Sequence, residues 1–324
     1  MFRIVCVLVC LVSAPAWLGI IHAAPEEADP EAVKALIAAL KDKDAEVRRN
    51  AAVSLGRIRV DSAVPALTEA LQDASKQVRE AAALSLGEFG PEAAKAVPEL
   101  CQLLKSDDAD LQTTAALALA RIGSRDEKVL DGLLTLERSK KRYVQAFACF
   151  ALAALGQRTD FHVEKLAVYL KDEEKDTRGT AAFLLGELGP QAKTAVAALT
   201  EALRGEKDND VRQAMIEALG EMGEHAIKAV SVLAMALKEG DAETKVLAAL
   251  ALARIGPGAR SAIPELVAAL KHENVEVRGS AVFALGEIGP AARSAIEAVS
   301  QALKDQDADV RRAAALALGK IQGD

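Results

Sequence analysis

One phrase, Asp-x-Glu-Val-Arg-x-x-Ala-Ala-x-x-Leu-Gly-x-Ile-Gly, recurs with variations along almost the whole chain. Anchored on its Val, the copies fall at Val47, Val78, Leu111, Val144, Thr177, Val211, Thr244, Val277 and Val310, at spacings of 31 to 34 residues. Spacing this even leaves no room for a linker or a second domain between copies. It predicts a stack of like units rather than one large core. Each period holds two apolar patterns of helical spacing, for example residues 262–270 and 277–288, so the unit is a helical hairpin. A hairpin of this size cannot bury its apolar face alone, and stacking on its neighbours completes the core.

The second helix of each hairpin has clear ends. Asp44, Asp108, Asp208, Asp241, Asn274 and Asp307 stand three residues before the anchor, where a short acceptor side chain satisfies the free amides of a helix start. Glu46, Asp110, Asp210, Glu243, Glu276 and Asp309 add negative charge to the same first turn, which the helix dipole favours. Gly90-Pro91, Gly189-Pro190, Gly256-Pro257 and Gly289-Pro290 stop the helix. Counting from the anchor, positions 0, +4, +8 and +11 form one apolar face. Position +9 is Gly or Ala in every copy, which lets helices approach closely. Aromatic residues are only 3% of the chain, which suits thin, closely packed helices better than a bulky core.

These phrases resemble the HEAT family, and within it the short repeats named after phycobilisome lyases, over nearly all of residues 30 to 322. The ankyrin Thr-Pro-Leu-His phrase and the tetratricopeptide Trp and Tyr signature are absent. The resemblance implies an all-α solenoid of about nine two-helix repeats, near 30–59, 60–90, 91–123, 124–156, 157–189, 190–223, 224–256, 257–289 and 290–322. It also implies that the second helices line a concave surface that binds other proteins. It implies no reaction.

Residue +1 is Arg48, Arg79, Arg178, Arg212, Arg278 and Arg311, replaced by Gln112, Gln145 and Lys245. A basic ladder for an acidic ligand is one reading. The better one has each guanidinium fork held by an acid of a neighbouring loop, such as Asp42, Asp73, Asp172 or Asp305. Positions +2, +3, +6 and +10 are expected on the concave side. Position +6 reads Val53, Leu84, Leu117, Phe150, Phe183, Glu217, Leu250, Phe283 and Leu316, apolar in all but one copy. Such a strip would grip an amphipathic helix or an extended apolar segment, unless neighbouring helices close over it.

Aromatic residues crowd the middle of the chain, at Tyr143, Phe147, Phe150, Phe161, Tyr169 and Phe183. The candidate partner-binding set is therefore Phe147, Phe150 and Phe183, flanked by Leu84, Leu117, Leu250 and Phe283. Charges at +10, such as Glu88, Arg121, Glu221, Arg254, Glu287 and Lys320, read as a mixed polar rim. The run Arg138-Ser139-Lys140-Lys141-Arg142-Tyr143 replaces an acidic cap with positive charge, either as a solvated loop or as a dock for an anionic partner.

No catalytic constellation, metal-ligand spacing or phosphate loop is recognised, so the expectation is a non-enzymatic binding scaffold without cofactor. The rivals are a chromophore lyase or chaperone, as the subfamily name implies, and a purely structural spacer. A net charge of -7 offers no basic stripe for nucleic acid, so the expected partner is a protein or peptide.

The first residues differ from everything after them. Arg3, the apolar run Ile4 to Val12 and the break at Ser13-Ala14-Pro15-Ala16 read as a secretory signal at 1–23, leaving 24–324 as the repeat array. The expected destination is the periplasm or the exterior, without stable membrane insertion after cleavage; an uncleaved anchor is the alternative. Cys6 and Cys10 lack the context for lipidation, and Cys101 and Cys149 read as compact buried residues rather than a disulfide. With Ile21 and Ala23 at the recognised positions, N-terminal sequencing of exported protein is expected to begin at Ala24, or at Trp17 if cleavage follows Ala16 instead. A start at Met1 would reveal the uncleaved anchor.

Overall fold

The computed structural model describes residues 29–323; the signal segment 1–23 lies outside them. The described residues form α-helices and short 3-10 turns and contain no strand. The chain divides into two compact units, 29–165 and 166–323. The first holds α1 (Pro30–Ala39), α2 (Ala45–Ile58), α3 (Val64–Ala70), α4 (Lys76–Phe89), α5 (Val97–Leu103), α6 (Ala109–Ile122), α7 (Glu127–Leu136) and α8 (Arg142–Ala154). Helix α9 (Thr159–Tyr169) crosses the division. The second holds α10 (Lys175–Leu188), α11 (Val196–Gly205), α12 (Asn209–Glu221), α13 (Val230–Glu239), α14 (Ala242–Ile255), α15 (Ile263–Ala269), α16 (Val275–Ile288), α17 (Ile296–Ala302) and α18 (Ala308–Gln322). Even-numbered helices are the second helices of the repeats. The fold is an α-solenoid, as the period predicts.

The helix starts obey the chemistry of the caps. Asp44 accepts a hydrogen bond from the Glu46 amide, Asp108 from Asp110 and Leu111, Asp208 from Val211, Asp241 from Thr244, Asn274 from Glu276 and Val277, and Asp307 from Asp309 and Val310. Glycine stops occur with and without a following proline. Gly123, with Ser124 next, takes an ordinary left-handed cap at φ 78° and ψ 16°. Gly90, with Pro91 next, is held at φ 62° and ψ -137°, since a residue before proline is driven to extended ψ and only glycine tolerates that combination. The proline does not end helical structure: the chain continues as a 3-10 turn, Gly90–Ala96, into the next first helix. Gly189, Gly256 and Gly289 repeat the arrangement.

Within each unit the second helices pack side by side as one layer, while first helices touch their own second helix far more than one another. Small residues make this possible. A Cβ at Gly286 would lie 3.0 Å from the Ala317 Cα, at Gly186 3.1 Å from the Ala218 Cα, and at Gly220 3.2 Å from the Ala251 Cα. At Gly56 it would strike the Ser85 hydroxyl at 2.5 Å; that hydroxyl is buried and donates to the Ala52 carbonyl at 2.9 Å. Every one of these contacts joins +9 of one repeat to +7 of the next. The anchor and +4, +8 and +11 residues close the core from the other side, with Val78, Ala82, Leu86 and Phe89 all buried on α4.

Cys101 and Cys149 are free and buried, as expected of small core residues. Burial pushes the Cys149 thiol up to about 12, aided by Glu137 and opposed by Lys165. Burial also raises Cys101.

The +9 contact generates a paired prediction. Gly286→Val is expected to cost about 1–3 kcal/mol, because the neighbour is backbone and cannot yield. Gly319 holds the same position on α18 but has nothing within 4 Å, so Gly319→Ala is expected to gain about 0.5–1 kcal/mol from helix propensity. Chemical denaturation of the two variants checks both signs.

Candidate protein-interaction surface

The +1 residue is structural. Arg278 donates through Nη1 to the carbonyls of His272 and Glu273, in its own hairpin loop, at 2.9 Å each. Its Nε and Nη2 grip Asp305 of the next loop at 2.8 and 2.9 Å. Arg48 does the same to Asp73, and Arg178 to Glu206. Asp42 and Asp172 serve through their carbonyls, to Arg48 and Arg178 of their own repeats. Where Arg lapses the inner half survives: Gln112 donates to the Ser106 carbonyl, Gln145 to Ser139 and Lys245 to Lys238. The acid five residues before the anchor does double duty, since its side chain also accepts the amide of the helix cap. Ser106, Ser139 and His272 keep that role, His272 through Nδ1 at 3.1 Å.

Two further lines of polar contact join repeats. Lys76, Lys175 and Asn209, two residues before their anchors, reach the cap acids Asp108, Asp208 and Asp241 of the next repeat at 2.8, 3.0 and 3.3 Å. At +10 the alternating charges pair with each other: Glu88 with Arg121, Glu221 with Arg254 at 2.8 Å and Glu287 with Lys320 at 2.5 Å. The rim is thus largely self-paired. Glu80, Asp108 and Asp110 converge closely enough to hold a metal ion, but the Lys76 ammonium sits among them, 2.6 Å from Asp110. Burial works against its charge, and hydrogen bonds to Asp108 and Asp110 outweigh that and hold its pKa above the ordinary value.

Position +6 does not give a uniform strip. In the first unit Leu117 and Phe150 are 1% and 3% exposed and Phe147, at +3, is 5% exposed, while Leu84 is half-buried. Small residues beside them, Ala146 at +2 and Ala81 at +3, are themselves buried. In the second unit Phe183, Leu250 and Phe283 are half-buried on α10, α14 and α16, and the Lys320 ammonium lies 5.9 Å from the centre of the Phe283 ring. Leu316 on α18 is the exposed member, at 55%. Among the described residues the other large exposed apolar side chains lie off this strip. Several are on first helices, namely Leu134 on α7, Phe161 and Val168 on α9 and Met235 on α13. Their spacing resembles that of packing residues, so periodicity did not mark them.

Glu217 is the polar member of the +6 series. Burial raises its carboxyl pKa, Arg254 opposes the shift, and Glu221 and Glu243 add to it.

The family model for HEAT repeats matches residues 18–86, 64–153, 163–253 and 263–324, and one for HEAT-like repeats matches 224–288. No curated protein matches the sequence. Among solved structures, the chain is similar to the complex of CpcE and CpcF of phycocyanin lyase from Nostoc sp. PCC7120. Identity is 23% and the TM-score 0.52, over 76% of this chain and 97% of that one. It is also similar to Kap95p bound to RanGDP, at 14% identity and TM-score 0.50, over 92% of this chain and 46% of that one.

Glu217→Leu, which installs the residue found at +6 in the next repeat, is expected to stabilise the protein by roughly 1 kcal/mol at pH 7 by removing a desolvated charge. A raised carboxyl pKa means the native state binds its proton more tightly than the unfolded chain. The gain should therefore shrink as pH falls through the carboxyl pKa, and denaturation at pH 7 and pH 4 compares the two regimes. The repeated hairpins, their caps and the family models matching most of the sequence place this chain in the HEAT-repeat family.

Proposed function

We propose that the chain is an exported, non-catalytic scaffold that holds a protein partner against its layer of second helices. The observation that carries this reading is the set Phe183, Leu250 and Phe283 of the second unit, large apolar side chains left half-buried at equivalent positions on second helices where Glu221 pairs with Arg254 and Glu287 with Lys320. Half-buried apolar side chains beside self-satisfied charges suit a partner that contributes apolar surface and asks for few hydrogen bonds. The two solved structures named above are likewise of proteins in complexes, CpcE with CpcF and Kap95p with RanGDP.

The similarity to phycocyanin lyase favours a second reading, a chromophore lyase or chaperone. Incubation with bilins and then gel filtration separates the two, since this reading requires visible absorbance to travel with the protein. The expectation here is none.

Affinity capture from the native envelope or medium tests the scaffold. Phe183→Glu with Phe283→Glu is expected to keep the helical circular dichroism and lower partner recovery at least tenfold. Equal recovery by wild type and variant would remove the proposed face. Phe150→Glu, by contrast, places a charge at a 3% exposed site and is expected to destabilise the fold by about 3 kcal/mol or more.

A further inference from the structure

Where the +1 clamp forms, at Arg48 with Asp73, Arg178 with Glu206 and Arg278 with Asp305, it bridges successive hairpin loops. Between α5–α6 and α7–α8 both halves of the clamp are missing. Gln112 stands in the Arg position, and Ser139 stands where Asp73, Glu206 and Asp305 stand in clamped repeats. Gln112 is bound to its own loop at 2.7 Å and makes no bridge to the next one. An open cavity of about 700 Å³ occupies that space, bounded by the loop 104–109, one face of α7 and the loop 139–141. Its volume lies within the range of small-ligand and peptide sites.

The lining has a definite chemistry. Lys105, Lys128, Lys140 and Lys141 border the cavity, and among the described residues no ion pair is made by any of the four. Only Asp107 and Asp131 oppose them, in a chain whose net charge is -7. Lys141 is also the cap residue of α8, and no side chain there accepts from the helix start. Leu104 and Leu136 supply an apolar floor, and Gly132 lets α7 approach Leu104, whose Cδ1 would lie 2.8 Å from an added Cβ.

We propose that this cavity binds an acidic peptide segment of a protein partner, an apolar side chain on the leucine floor flanked by carboxylates on the lysines. The two aspartates and the absence of any aromatic among the lining residues disfavour a nucleic acid, which needs phosphate neutralisation and a stacking surface. The site is separate from the +6 side chains, so either can fail without the other.

Fluorescence anisotropy with the full mature chain tests it, using a labelled decapeptide of Glu residues around a central Leu-Leu, its Gln counterpart and a single-stranded oligonucleotide of equal length. Wild type is expected to bind the Glu peptide at least tenfold more tightly than the Gln peptide, with affinity falling as salt rises. Lys128→Glu with Lys141→Glu should weaken binding at least tenfold. Gln112→Arg with Ser139→Asp should rebuild the clamp and weaken binding to a similar degree while leaving Tm equal or higher. Binding unchanged in both variants, equal affinity for the Glu and Gln peptides, or tighter binding of the oligonucleotide would overturn the proposal. Phe183→Glu with Phe283→Glu, which addresses the second-helix face, should leave this binding intact.

Discussion

The structure depends on how closely two consecutive second helices can approach. That distance is set where +9 of one helix meets +7 of the next, at pairs such as Gly286 and Ala317 or Gly56 and Ser85. A mid-helix glycine costs about 1 kcal/mol against alanine, and here the cost is offset by dispersion along two backbones in near contact. Close approach in this layer has a second aspect. It goes with burial of small +2 and +3 residues such as Ala146, Gly179 and Gly279 and of part of the +6 series, so the packing that makes the fold also limits what the second-helix face can show.

With the apolar contact set, the charges arrange themselves around it. Three lines of polar contact run between repeats: the +1 fork to the next loop, the -2 donor to the next cap and the +10 pair. Each is modest alone, because pairs near the surface contribute little. Their joint effect is register. The fork fixes the angle at which one loop meets the next, and the depressed pKa values of Asp73 and Asp305, caused first by the Arg48 and Arg278 hydrogen bonds, show that these acids are held ionised by their partners. A carboxylate held below its ordinary pKa contributes stability that is present at neutral pH and is lost as pH falls through the folded-state value. Glu217 runs the other way, because its burial outweighs the attraction of Arg254.

Much of this is legible in the sequence. The period, hairpins, caps and Gly-Pro stops are local chemistry repeated many times, and repetition turns weak signals into strong ones. The structural role of +1 is legible too, down to Asp73 and Asp305 as its acceptors. What the sequence withheld depends on distance between elements. Phe147 and Phe150 look like an aromatic hot spot when only helical angle is counted, yet both are buried in the packed structure. The +10 alternation reads as a rim until the partner is seen to be the same position one repeat on. The exposed Leu134, Val168 and Met235 carry no periodic mark, and the gap beside Ser139 becomes visible only when two substitutions, in separate repeats, are seen to face each other.

Arginine at +1 ties its own loop and grips the next one with a single side chain; lysine can do only the first. Lys245 illustrates the difference, bonding the Lys238 carbonyl at 2.7 Å while the residue opposite is His272 rather than an acid. The seam between α14 and α16 is consequently bound by apolar contact without a charged latch, whereas the seam from α16 to α18 has one. Stiffness in such a chain is written seam by seam, and a substitution at one position tunes how readily the array bends there while leaving every hairpin intact.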